Sequence, residues 1–283
     1  MKKQKEKLMQ IVFLVSACVS ILAVFLICVF LFANGVPAIT KIGVFKFLFG
    51  TTWRPSNGIY GIFPMIVGSI YVTAGAIVIG VPIGIMTALY LAMFCPPKAY
   101  SFVKPAIELL AGIPSVVYGF FGMVMIVPMI RDTLGGNGNS MLAASILLGI
   151  MILPTIINVS ESAIRAVPDF YYEGGRALGA SHERTAFTVM LPAAKSGVLA
   201  AVILGIGRAI GETMAVIMVA GNQARMPKGL LAGVRTMTAN IVIEMGYAAE
   251  LHREALIGTA VVLFVFILII NMSFSVINRK SLS

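Results

Sequence analysis

Charged residues supply only 11% of this 283-residue sequence, against about 25% in soluble chains. The shortfall excludes an ordinary water-facing surface. Cysteine is equally scarce. Cys18 and Cys28 fall inside the first apolar run and Cys95 stands beside Pro96, so no disulfide framework is visible and the three read as packing residues. Histidine occurs twice, as His182 and His252. His182-Glu183 opens like a zinc-protease motif, but Ala186 stands where the second ligand belongs. A phosphate-cradling loop is missing too, because Lys195-Ser196 follows Ala193-Ala194 without the glycine lead-in. The glycines at 205, 207 and 211 have the wrong spacing for a dinucleotide fingerprint. Nothing in the chain calls for a metal, a cofactor or a catalytic residue of its own.

What is present is apolar. Hydrophobic residues make up 59% and the mean hydropathy is +0.98. Stretches of about 20 apolar residues, enough to cross a bilayer, lie near 11 to 32, 64 to 94, 107 to 130, 141 to 158, 196 to 219 and 255 to 277. The first is too long for a secretory signal, whose apolar core spans about 7–15 residues, so it is expected to stay in the membrane. The fold class expected is all-α: a polytopic bundle of six transmembrane helices in contact with membrane lipid. The net charge of +10 sits in short clusters between the apolar runs, without interleaved aromatics, so no nucleic-acid partner is expected. Twelve Lys and Arg fall on the side of the termini and eight on the other. The positive-inside rule then puts both termini in the cytoplasm of a bacterial cell.

Glycine and proline punctuate the spans at Gly80-Val-Pro-Ile-Gly84, Gly112-Ile-Pro114 and Pro128. The GxxxG pairs Gly80/Gly84 and Gly207/Gly211 are suited to close helix approach. Trp53, Tyr60 and the aromatics of 45 to 49 fit an interfacial belt. Glu108 suits the start of the third span, Asn158 and Glu161 an interfacial position, and Arg225, Lys228 and Arg235 a polar outer loop.

The loop from 159 to 195 mixes four acids with four bases, as a docking surface does. Pro168 can start a short helix that runs past Glu173 and stops at Gly179, and Ser181 can cap the next, with Glu183 in its first turn. Two short helices joined at a glycine make a knuckle. Within it stand Glu173-Gly174-Gly175, then Gly179, then Val189-Met-Leu191-Pro192. This spacing resembles the E-A-A, three residues, G, nine residues, I-x-L-P signature of permease subunits of bacterial ABC importers, with two glycines where the family has alanines. The resemblance implies the type I (MetI-like) importer bundle. It also implies a coupling helix, with Glu173, Gly174, Gly175, Ala177, Leu178 and Gly179 seated in the cleft of a separate ATPase.

Two further segments narrow the likeness: Trp53-Arg-Pro55 through Pro64, and Gly207-Arg-Ala-Ile-Gly-Glu-Thr-Met-Ala215. Both resemble phosphate importer permeases, nearer their C-type than their A-type subunit. That implies a heterodimeric pore with an A-type permease, two copies of a cytoplasmic ATP-binding subunit and an extracytoplasmic phosphate-binding protein. Residues 1–62 then carry the tail, first span and outer loop, and 63–283 the permease core. From the residues themselves, Arg208 lies deep in a span, where an unpartnered guanidinium costs several kcal/mol. Glu212, four positions on, is expected on the same helix face. Arg208 either meets an oxyanion in the pathway, for which guanidinium is well shaped, or pairs structurally with Glu212. The alternatives in function are another oxyanion such as molybdate or sulfate, and a stand-alone secondary transporter or channel.

Overall fold

The computed structural model describes residues 2–280. Helix α1 (Lys2–Ile42) is followed by the short α2 (Val44–Phe49), a two-residue ladder of β1 (Trp53–Arg54) with β2 (Ile59–Tyr60), and α3 (Phe63–Phe94). Next come α4 (Pro97–Gly112), α5 (Ser115–Leu134) and α6 (Met141–Arg165). The knuckle is α7 (Asp169–Ala177) and α8 (His182–Ala193); beyond it lie α9 (Lys195–Gly211), α10 (Met214–Val219), α11 (Met237–Met245) and α12 (Glu250–Lys280). α1 from Met9, α3, α5, α6 and α12 to Ser273 are each long and apolar enough to cross a membrane. The pair α8 and α9, bent by 71°, makes a sixth if it is one crossing.

Two expected spans differ. The run at 107 to 130 is two elements, because Pro114 biases Ile113 to the extended backbone it adopts (φ −68, ψ 127) and has no N–H to continue the ladder. Likewise 196 to 219 is interrupted: α9 stops at Gly211, Glu212 is extended (φ −68, ψ 133), and α10 resumes at Met214.

α6 forms the axis of the core, with Ala143, Leu147, Met151 and Ile156 fully enclosed. α3 lies on it through a row of small residues. A Cβ on Gly75 would run into Ser145 Oγ, one on Gly80 would meet the Gly149 carbonyl at 2.8 Å, and one on Gly84 the Ile156 side chain at 2.7 Å. The expected close approach at Gly80/Gly84 is therefore present, with glycine needed at both. α9 packs on the same helix through Gly205, where an added Cβ would meet Ile156 Cγ1 at 3.0 Å. α1 stands outside this core and leans on α12, where Gly35 admits Val261 and the Ile257 carbonyl. The β1–β2 ladder pairs Trp53 with Tyr60 across a turn at Gly58, whose φ of +69 favours glycine.

Candidate translocation and coupling sites

The interruption in the fifth span is built by its own residues. Glu212 turns its carboxylate forward, and Oε1 accepts from Thr213 N at 3.1 Å and Ala215 N at 3.2 Å. It thereby satisfies N–H groups that open α10 and lack an intrahelical partner. Thr238 donates its hydroxyl to the Glu212 carbonyl at 3.1 Å. With the helix ended at Gly211, Arg208 and Glu212 do not share a face, and no ion pair joins them among the described residues. The expected pair is thus corrected: a continuous helix would have brought them together, but the break spends the carboxylate on backbone.

Arg208 is half-buried and donates to the Thr155 hydroxyl on α6 at 3.2 Å. That partner is neutral, and among the described residues no carboxylate pairs with the guanidinium. Beside it the helix is bare. A Cβ on Gly207 or Gly211 would meet nothing within 4 Å, and the same holds for Gly112 at the other interruption. The spacing Gly207/Gly211 therefore marks an open face of this chain rather than an internal contact. The two interruptions are neighbours, because α5 lies on α10 with Gly119 close to Ala215 Cα and Met218 Sδ. Tyr118 spans its own break by donating to the Leu110 carbonyl at 2.8 Å.

The knuckle forms as its residues dictate. Pro168 precedes α7, none of whose residues is buried. Gly179 has φ +84, and the Ala180 N–H returns to the Gly175 carbonyl at 3.2 Å, closing the helix end. Ser181 Oγ accepts from Arg184 N at 3.2 Å and caps α8. Gly175 sits against Thr185, whose Cγ2 would lie 2.9 Å from a Cβ there, whereas Gly174 faces open space. Glu173, Ala177 and Leu178 are exposed, Leu178 at 91%.

Two side chains whose partners the sequence does not reveal tie the knuckle end together. His182 lies 3.0 Å from the Met93 carbonyl through Nε2 and 3.0 Å from Tyr172 Oη through Nδ1, with its ring against Phe94. Glu161, expected at an interface, is enclosed. It accepts from Lys104 Nζ at 2.7 Å, Tyr100 Oη at 2.8 Å and Arg165 Nε at 2.9 Å. Arg165 continues to the Leu91 carbonyl at 2.7 Å, and Lys104 also reaches Asn158. Hydrogen bonding to Glu161 holds the Tyr100 hydroxyl above the usual tyrosine range. One carboxylate thus joins the ends of α3, α4 and α6.

The family model for binding-protein-dependent transport system inner membrane components matches residues 80–282. The chain belongs to that family. Among relatives of this permease, the probable ABC transporter permease protein YqgH of Bacillus subtilis is 38% identical over 271 residues, 91% of this chain and 88% of that protein. The phosphate transport system permease protein PstC of Mesorhizobium japonicum is 33% identical over 261 residues, 85% of this chain and 80% of its own. PstC 1 of Mycobacterium tuberculosis is 34% identical over 245 residues, 78% and 72%. A solved structure of the MetNI methionine ABC transporter in an inward-facing form has a similar fold, with TM-score 0.64 at 19% identity, over 81% of this chain and 99% of that one.

At the end of the permease away from the knuckle, Glu244 gathers a second enclosed cluster. Its Oε1 accepts from Arg235 Nη1 at 2.6 Å; its Oε2 accepts from Trp53 Nε1 at 2.8 Å and lies 2.8 Å from His252 Nε2. Trp53 and Tyr60 pack edge to face with ring centroids 5.6 Å apart, both beside His252. Both are enclosed within the chain, and Arg235 is paired, not solvated. The reason is distance along the chain: Trp53 and Glu244 are 191 positions apart, beyond any local pattern.

Proposed function

We propose that the chain is a pore-forming subunit of an ATP-driven importer carrying inorganic phosphate into the cytoplasm. In this reading residues 63–283 are the transport core, and the chain pairs with an A-type permease. A separate ATPase, in two copies, docks on the segment from Glu173 to Gly179, which places the knuckle and both termini in the cytoplasm. An extracytoplasmic phosphate-binding protein delivers the cargo to the other end. The kinship with PstC proteins supports the cargo. The observation that carries the reading is Arg208, a guanidinium with no carboxylate partner among the described residues, beside the bare glycines of a broken span. A phosphate oxyanion is a fitting transient partner for it.

The experiment is phosphate uptake into vesicles holding the whole complex. Arg208→Gln is expected to lower uptake at least tenfold while the complex is recovered intact, and adding Glu212→Gln should not restore it, because Glu212 caps α10 and does not pair with Arg208. Recovery of uptake in the double variant would overturn the anion contact. Excess molybdate or sulfate should leave parent uptake unchanged; competition by either would name that oxyanion instead.

A further inference from the structure

At the level where α1 ends and α12 begins, a cavity of about 550 Å³ opens between α1, α2, the β1–β2 hairpin and Leu251. Lys41, Lys46, Thr51, Thr52 and Tyr60 line it. Lys41 is compensated by Glu254 at 3.2 Å. Lys46 has no acidic partner among the described residues, so the cavity holds one cation in excess. The two threonine hydroxyls donate to no protein acceptor among those residues, and neither does that of Tyr60. Tyr60 lines the cavity with a side chain held in place by its surroundings, the residue being only 6% exposed. Burial also raises its pKa, which keeps it a donor.

The rim is made for hydrocarbon. On α2, Phe47 turns inward, while Phe45 (80% exposed) and Phe49 (61%) point outward as a stacked pair that continues onto Phe63. α1 above them is exposed and apolar. Aromatic side chains beside lysines at a span's end are the pattern of a headgroup boundary.

We propose that this cavity binds the phosphodiester of an anionic phospholipid in the leaflet away from the knuckle. Lys46, Tyr60 and the threonine hydroxyls hold the headgroup oxygens, and the acyl chains lie along Phe45, Phe49 and α1. The shared chemistry is a phosphate group, so free phosphate is the competing source. The assignment needs only that the chain is embedded in a membrane, and does not depend on the cargo.

Trp53 is the single tryptophan and touches Tyr60, so its fluorescence reports on the cavity. The full-length chain is placed in phosphatidylcholine nanodiscs, and phosphatidylglycerol with brominated acyl chains is added in increasing fraction. Brominated phosphatidylcholine serves as the reference. Phosphatidylglycerol should quench Trp53 at a lower fraction than the reference. Lys46→Gln should raise the fraction required about fivefold, the effect of one lysine near an anionic surface, while Lys98→Gln leaves it unchanged. Tyr60→Phe should also raise it, with the ring packing kept. Equal quenching by the two lipids, or an unchanged curve for Lys46→Gln, overturns the proposal. Relief of quenching by millimolar inorganic phosphate in the parent also overturns it, assigning the cavity to the free anion.

Discussion

Glu212 looks at first like a charge and acts as a pair of lone pairs. Both of its contacts are accepted by Oε1 from backbone N–H groups, and an amide oxygen at the same place accepts equally well. Glu212→Gln should therefore assemble and transport near the parent level. Glu212→Ala should lower the thermal midpoint of the purified complex, in keeping with the roughly 1 kcal/mol of a lost helix cap. Equal damage from both would mean that the charge matters after all. The knuckle glycines separate in the same way. Gly174→Ala meets open space and gains about 1 kcal/mol of helix propensity. Gly175→Ala pushes its Cβ against Thr185 Cγ2 and should loosen the knuckle; Thr185→Ser, which removes that methyl, should recover part of the loss. Limited proteolysis of the loop reads both. The sequence alone treats the two glycines alike, since the difference lies in what α8 brings against one of them.

Helices that owe their existence to local composition are legible in the sequence. α1, α3, α6 and α12 appear where apolar runs of bilayer length appear, and α7 and α8 where Pro168, Gly179 and Ser181 punctuate the loop. The interruptions were only half legible. Pro114 announces one, but the break after Gly211 carries no proline and is stabilised by the Thr238 hydroxyl, 26 positions away. The Glu161 cluster was invisible for a similar reason, because α4 brings Lys104 and Tyr100 from 57 and 61 positions off. Its consequence belongs to the elements it joins. Glu161→Gln leaves Arg165 without its carboxylate and Lys104 with only the longer pair to Glu108 at 3.9 Å, and about 1–3 kcal/mol is typical for stranding such buried groups; the half-exposed Arg165 can turn to water and moderates the loss. The complex should lose several degrees of thermal midpoint. Uptake should fall more than ATPase activity, since α4 leads from this cluster to the Ile113-Pro114 break. A fall in both by the same factor would limit the cluster to a structural role.

At the scale of the whole molecule, the bare faces of Gly112, Gly207 and Gly211 describe a chain that is incomplete by itself. Gly211→Leu introduces a side chain that meets nothing within 4 Å of the new Cβ inside this chain, so the isolated subunit should fold and run as a single species in detergent. Co-purification of a second permease, or uptake if assembly survives, should be lost. A fully active Gly211→Leu complex would show that this face borders neither partner nor pathway.

α1 has a different kind of incompleteness, one of time. Most of its contacts are with α12, and the ion pair that closes them, Lys41 to Glu254, spans 213 positions. At a synthesis rate of about 5–20 residues per second, that separation is on the order of 10–40 s of translation. Throughout that interval most of α1 has hydrocarbon for company, and only its last turns have a protein neighbour, the short α2. A helix held in waiting must be content in lipid on its own account. Of the spans, α1 has the highest mean hydropathy, 3.0, so the segment that waits longest for its partner is also the one least in need of it.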